Sequence, residues 1–146
     1  MQISNSIKSV GIIVTEGSDF NFDMLKYLQK EINLNSSALF VLTCKKTKEN
    51  YNEFRGVTIQ EQDFTWNGSL KSPEVHDFLN KKVDMLIDLT NNSEVYTNFL
   101  VAKSKAKFKV GFAHIDERLF DLMIDVTSTQ TFLTELVKYL TILKKI

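Results

Sequence analysis

Cysteine, proline and glycine are scarce in this sequence, and each shortage narrows the range of structures it can form. Cys44 is the single cysteine, so no internal disulfide can form, and no spacing of Cys and His residues resembles a zinc site. With one proline and five glycines among 146 residues, the chain contains no linker, no repeat and no low-complexity segment. We therefore predict one domain that spans residues 1–146 and binds no metal.

An excess of either charge sign is also lacking. Lys plus Arg and Asp plus Glu number 18 each, so the formal net charge is zero. This balance removes the simplest electrostatic reason to expect a nucleic acid or an anionic membrane as a partner. It also leaves little charge repulsion to oppose self-association, so a homo-oligomer is our hypothesis for a protein partner.

Long apolar stretches are missing as well. No apolar segment approaches the roughly 20 residues that a membrane-spanning helix requires. The first six residues, Met1 to Ser6, lack the basic start and the apolar run of a signal peptide. The apolar content of 43% and the charged content of 25% are ordinary for a globular protein. We predict a soluble, cytoplasmic protein.

Short apolar runs alternate with amphipathic segments along the chain. Runs rich in β-branched residues predict buried strands. The candidate strands cover residues 10–14, 38–42, 83–89, 108–113 and 122–126, with a weaker candidate at 57–59. Asp19 or Asn21 can cap the first helix, and Ser72 followed by Pro73 starts the second. Ser93 can cap a third helix, whose inner face we expect to consist of Val95, Tyr96, Phe99 and Leu100. Apolar residues at helical spacing between 132 and 143 predict the final helix.

Strands that alternate with helices predict a mostly parallel sheet with helices on both faces. We expect an α/β fold, a Rossmann-like three-layer α/β/α sandwich in which the first and fourth strands lie side by side at the centre. The last strand follows the fifth after a short link, residues 116–120. Two arrangements stay open. Either the last strand is an antiparallel edge strand, or the link holds a helical turn.

Polar side chains cluster where the predicted strands end. In an open α/β sheet, ligands bind outside the carboxyl ends of the strands, where the strand order reverses. The candidate ligand-binding residues at this edge are Ser18, Asp19, Asn91, Asn92, Ser93 and His114. They predict either a small polar or phosphate-bearing ligand beside a helix start, or only the caps and turns that such residues commonly form.

Three motifs of the commonest α/β enzymes are absent from the sequence. The first strand is followed by Thr-Glu-Gly-Ser-Asp and not by the three-glycine dinucleotide fingerprint. Neither a Walker loop nor a Gly-x-Ser-x-Gly elbow occurs. His114 could act as an acid or base with Asp116 or Asp19, although a lone histidine at a strand end is also a common structural residue. We expect no cofactor.

The only tryptophan belongs to an irregular segment, residues 63–68. Phe64 and Trp66 are candidates for an interaction surface, because aromatic residues are enriched at interfaces. They could equally close one end of the core. The sequence leaves open whether residues 45–63 are ordered.

One part of the chain resembles part of the N-terminal Rossmann-like domain of heptosyltransferase-like (GT-B) glycosyltransferases. This part begins with residues 84–89, continues through a polar turn and a helix, and ends with residues 106–112. The likeness covers under a third of the chain. Those enzymes bind the sugar nucleotide mainly through a second domain, so the resemblance implies a lone acceptor-type domain. In that family a Gly-Asp pair after the first strand supplies a catalytic aspartate, whereas here Ser18 is inserted between Gly17 and Asp19.

Over most of its length the chain is also similar to a family of short bacterial α/β proteins with no assigned function, and residues 63–68 and 104–111 carry this similarity. The resemblance brings no catalytic residues with it. Our first hypothesis is a non-catalytic binding or interaction module that self-associates. The alternative is a small enzyme or ligand-binding protein for a phosphate- or sugar-containing ligand at the carboxyl ends of the strands.

Overall fold

The computed structural model describes residues 6–45, 56–60, 72–90, 95–113, 115 and 117–146. Within them the chain forms strands and α-helices in the expected order. The strands are β1 (Val10–Thr15), β2 (Leu39–Lys45), β3 (Val57–Gln60), β4 (Met85–Asp88), β5 (Lys109–Phe112) and β6 (Leu122–Ile124). The helices are α1 (Phe22–Ile32), α2 (Pro73–Asn80), α3 (Val95–Lys103) and α4 (Thr129–Ile142).

The described strands form one sheet in the order β3-β2-β1-β4-β5-β6, and every neighbouring pair is parallel. The prediction that the first and fourth strands are neighbours is confirmed, since Ile13 of β1 pairs with Asp88 of β4. A parallel sheet with this strand order and with helices on both faces is consistent with the predicted Rossmann-like α/β class.

Two hydrophobic cores lie on opposite faces of the sheet, because side chains of successive strand residues alternate in direction. On one face α1 and α4 bury Leu28 and Leu136 against Ile12 and Ile87. On the other face α2 and α3 bury their apolar side chains against another set of strand residues. The members of this second core include Phe78, Leu79, Leu100, Val101, Ile13, Leu42 and Leu86.

Polar caps set the starts of the helices. Of the two predicted caps for α1, Asn21 has this role, and its Oδ1 accepts a hydrogen bond from Met24 N at 2.9 Å. The expected start of α2 is also confirmed, since Ser72 Oγ accepts from Val75 N at 3.3 Å. At its other end α1 stops at Asn33, whose φ of 62° is a left-handed conformation that ends a helix.

The link before β6 resolves the two arrangements that the sequence left open. Residues Glu117–Leu119 form a turn of 3-10 helix, and β6 pairs parallel with β5. Asp121 holds the entry to the strand, because its Oδ2 accepts from Lys109 N at 2.8 Å and its own N donates to Lys109 O at 2.8 Å. A full crossover helix is therefore not needed to bring β6 back in the parallel direction.

The apolar pattern of α3 misplaced its buried face. Of the four residues expected on its inner face, Leu100 is buried but Phe99 is only half-buried. The side chains of the other two, Val95 and Tyr96, lie outside the described part of the structure. Leu100 and Val101 are fully buried, together with the polar Thr97. Apolar residues are spread nearly all round this helix, so their periodicity does not select one face.

Some predicted strand ends also differ from the structure. Ala38 closes a short 3-10 helix before β2, and Val83 is buried but precedes β4. Residues 46–55 and 61–71 lie outside the described part, so the question about the order of the 45–63 region stays open. No helix in the described part of the chain combines the length and the apolar content that crossing a membrane requires.

The Phe120 ring packs directly against Gly111 of β5, and a substitution at Gly111 can test how tight this packing is. A Cβ added at Gly111 would collide with that ring, whereas one added at Gly11 would meet Leu86 Cδ1 and Phe78 Cζ at 3.3 Å. We expect Gly111→Ala to lower the free energy of unfolding by about 1–3 kcal/mol through overpacking, measured by urea denaturation. The cost should shrink in a Phe120→Leu background, and equal costs in both backgrounds would rule out this contact as the cause.

Candidate functional site

The carboxyl edge of the sheet has the geometry of a ligand site in α/β proteins. All described strands are parallel, so their carboxyl ends meet at one edge. From β1 the chain moves outward through β2 to β3 and then returns to β4 on the other side of β1. The strand order therefore reverses between β1 and β4, where ligands bind in open α/β sheets.

Ser18 and Asp19, which the sequence placed at this edge, form hydrogen bonds that organise the loop between β1 and α1. Ser18 N donates to Thr15 O at 3.0 Å, and Ser18 Oγ accepts from Phe20 N at 3.0 Å. The Asp19 side chain reaches the start of α4, where its Oδ1 accepts a hydrogen bond from Thr129 Oγ1 at 2.5 Å. These contacts join the β1–α1 loop to α4, and Asp19 is not among the residues of the groove described below.

The other predicted site residues lie outside the described part of the chain, so their roles stay predictions. They are Asn91, Asn92, Ser93 and His114 for the ligand site, and Phe64 and Trp66 for the interaction surface.

Asp88 is a candidate that the sequence reasoning missed. It ends β4 beside Ile13 of β1, and its side chain is fully buried. Thr90 donates twice to Asp88 Oδ1, from its backbone N at 3.0 Å and from its hydroxyl at 2.6 Å. Among the described residues none donates to the second oxygen, Oδ2. An acidic residue that closes an otherwise apolar run from Met85 was the available signal.

Burial raises the pKa of Asp88 from 3.8 to about 6, although the two hydrogen bonds from Thr90 oppose this change by favouring the ionised form. A carboxyl group whose pKa is higher in the folded protein makes a contribution to stability that is fully present below its unfolded pKa. That contribution is lost as the pH rises through the folded value of about 6. The ionised side chain thus destabilises the fold at neutral pH, and such groups are more frequent at functional sites than elsewhere.

A second candidate site is a groove of about 240 Å³ between α1 and α4. Its floor is apolar, with Leu133 buried and Met24 half-buried. The full lining consists of Asn21, Asp23, Met24, Tyr27, Gln130, Leu133 and Thr134. The lining thus combines polar and apolar side chains, and Asp23 is its only charged residue. In the part of the chain that the structure covers, no three His, Cys, Asp or Glu side chains converge in a way that could hold a metal ion.

Comparison with known protein families gives a match over residues 1–143 to a family of unknown function (DUF6913). The chain belongs to this family. The expected similarity to a family without assigned function is therefore confirmed, and it covers nearly the whole chain. No curated protein and no solved structure matches the sequence, so the likeness to heptosyltransferase-like domains finds no support in the comparisons.

For this DUF6913 member, the buried carboxyl group yields a prediction about pH. Raising a pKa from 3.8 to about 6 corresponds to roughly 3 kcal/mol of stability over the whole titration. Asp88→Asn keeps the shape of the side chain but removes the carboxyl group that titrates. The free energy of unfolding of this variant, minus that of the wild type, should therefore rise by about 2 kcal/mol between pH ~4 and pH ~7.5. Urea denaturation at several pH values measures this difference.

Thr90→Val is the matched variant, because it keeps the Asp88 carboxyl but removes one hydrogen bond that favours its ionised form. We expect this variant to lose more stability than the wild type as the pH rises. Parallel pH profiles for the wild type and Asp88→Asn would show that Asp88 does not titrate as described.

Proposed function

We propose that this protein is a non-catalytic interaction module that self-associates through the face formed by α1 and α4. The observation that carries the proposal is the groove on this face, together with the exposed aromatic residues of α1. Phe22 is 51% exposed and Tyr27 is 37% exposed, and Tyr27 forms part of the groove wall. Aromatic side chains supply much of the binding energy at protein interfaces.

The size and charge of the groove favour a protein partner. Its volume of about 240 Å³ lies below the roughly 300–1,000 Å³ of pockets for drug-sized ligands. A groove of this size suits one or two side chains from another polypeptide. The zero net charge of the chain leaves little repulsion between two copies. The absence of the dinucleotide, Walker and esterase motifs from the sequence favours a non-catalytic role.

The test is the mass of the purified protein in solution as a function of concentration. We expect the average mass to rise from that of a monomer towards that of a dimer. Tyr27→Ser should weaken association by about tenfold or more, because it removes the exposed aromatic side chain of the groove wall from each copy.

Ile142→Ser is the matched control, since Ile142 is 63% exposed at the far end of α4 and does not line the groove. This variant should associate like the wild type. A mass that stays monomeric at every concentration would contradict self-association, and equal effects of the two variants would exclude this face.

Asp88 supports a second candidate function, the binding of a small polar ligand at the carboxyl edge. The supporting observation is that Oδ2 of this buried carboxyl receives no hydrogen bond from the described residues, at the position where the strand order reverses. A ligand hydroxyl or amino group could donate to this oxygen. Sugars and nucleotide sugars carry such donors, and they are also the ligands that a kinship to GT-B acceptor domains would favour.

A thermal-shift screen against nucleotides, sugar phosphates and nucleotide sugars tests this second function. A ligand present at a hundred times its dissociation constant stabilises the folded protein by ~2.7 kcal/mol, which is visible as a rise in Tm. We expect Asp88→Asn to remove the rise, because an amide nitrogen in place of Oδ2 cannot accept the hydrogen bond. A rise that persists in this variant would place the ligand elsewhere.

A further inference from the structure

Lysines collect at one end of the molecule, where the strands begin and the helices end. Because the described strands are all parallel, their amino ends meet at one edge of the sheet, and each crossover helix runs back towards this edge. The segments before β1, β4 and β5 each carry exposed lysines there. They are Lys8, Lys81, Lys82, Lys105 and Lys107.

Hydrogen bonds and an ion pair hold these three segments side by side. Lys105 N donates to Leu79 O at 2.9 Å, so the segment before β5 lies against the end of α2. Asp84 joins this region to the segment before β1, because its Oδ2 accepts from Lys8 N at 2.8 Å and its Oδ1 lies 3.5 Å from Lys107 Nζ. The five lysines therefore belong to one continuous surface.

The end of α4 adds Lys144 and Lys145 to the same surface. Ile7 N donates to Lys145 O at 2.8 Å, which places the end of the helix beside the segment before β1. Lys145 Nζ lies 4.6 Å from the centroid of the Phe108 ring, and Phe108 follows Lys107 directly. We call these two lysines and the five above the lysine patch.

The lysine patch has a clear excess of positive charge. Among the described residues its acids are Asp84 and the carboxylate of Ile146, so seven lysines against two acids leave five positive charges. At its border the charges cancel, with the acids Glu31, Asp77 and Asp121 matched in number by Lys30, Lys103 and Lys109. The zero net charge of the whole chain conceals this excess, because acids such as Glu16 and Asp19 lie at the carboxyl edge.

Stabilisation of the fold accounts for only some of these lysines. The helix dipole favours cations at helix ends, which applies to the lysines after α2 and α4. It does not apply to Lys8 and Lys107, which precede strands. Lysines also protect edge strands from pairing, but β1, β4 and β5 all have neighbours on both sides.

Exposed aliphatic side chains lie beside the lysine patch at the end of α4. Ile142 is 63% exposed, Leu143 50% and Ile146 38%. The end of the helix is held in place, since Lys145 N donates to Leu140 O at 2.8 Å. Lysines next to aliphatic side chains match an anionic bilayer, whose headgroups attract the cations and whose acyl boundary takes up the apolar groups.

A nucleic acid matches this surface less well. Single strands bind largely by stacking their bases on aromatic rings. The rings of Phe40 and Phe108 are half-buried, and the ammonium groups of Lys81 and Lys145 lie over them at 4.7 Å and 4.6 Å from the centroids. Contacts to phosphates alone would leave the aliphatic side chains of α4 in water.

We propose that the amino end of the sheet docks on an anionic membrane, with the lysine patch against the lipid headgroups and with Ile142 and Leu143 at the acyl boundary. The surface contains no residue of the groove between α1 and α4, so this proposal does not depend on self-association. Each lysine near an anionic surface strengthens binding about fivefold, and salt weakens this attraction.

Co-sedimentation of the full chain with lipid vesicles tests the proposal. We expect binding to vesicles of equal parts phosphatidylserine and phosphatidylcholine, binding at least about tenfold weaker to phosphatidylcholine alone, and release by added salt. Lys105→Glu should weaken binding to the mixed vesicles by about 25-fold, because it removes one positive charge and adds a negative one. Leu143→Ser should weaken it by about fivefold, because it removes an apolar side chain from the acyl boundary.

Lys26→Glu is the matched control, since Lys26 is also an exposed lysine but lies in the middle of α1, away from the lysine patch. It should bind the mixed vesicles like the wild type, while circular dichroism checks that every variant is folded. Absence of binding to the mixed vesicles, or equal losses in the Lys105 and Lys26 variants, would overturn the proposal. Binding of a single-stranded oligonucleotide that Lys105→Glu weakens, with no binding to the mixed vesicles, would instead assign the lysine patch to a nucleic acid.

Discussion

The pairing of β1 with β4 is the contact on which the rest of the fold depends. It joins segments about 75 residues apart, and the Asp84 side chain begins it by accepting from Lys8 N at 2.8 Å and Ser9 N at 3.2 Å. Further along, Leu89 N donates to Ile13 O at 2.9 Å. With these two strands at the centre, β2 and β3 extend the sheet on one side and β5 and β6 on the other.

This central pairing also explains why Asp88 is an unusual residue. Its neighbour Ile13 belongs to the core between the sheet and the α2 and α3 helices, so the carboxyl lies against an apolar layer. Thr90 satisfies one carboxylate oxygen, and desolvation raises the pKa of the group to about 6. A neutral isostere would avoid the cost of ionisation at neutral pH, and natural proteins commonly accept such costs where function requires them.

The face of the sheet that α1 and α4 cover offers a surface for interaction. On the α1 and α4 side a groove remains between the helices, and aromatic residues of α1 stay partly exposed. The hydrogen bond from Thr129 to Asp19 ties the start of α4 to the loop that leads into α1. Because this loop and both helix starts lie at the carboxyl edge, the proposed interaction face and the Asp88 region are close neighbours in the fold but use opposite sides of the sheet.

Local patterns in the sequence were sufficient for the class of fold. Apolar runs such as residues 10–14 predict buried strands because their side chains alternate between two covered faces, and polar caps such as Ser72 mark helix starts through bonds to residues three positions away. What only the tertiary structure decided were contacts between residues distant in sequence. The burial of Asp88, the partial exposure of Tyr27 and the hydrogen bond between Asp19 and Thr129 of α4 depend on how separate elements pack, and no local spacing encodes that packing.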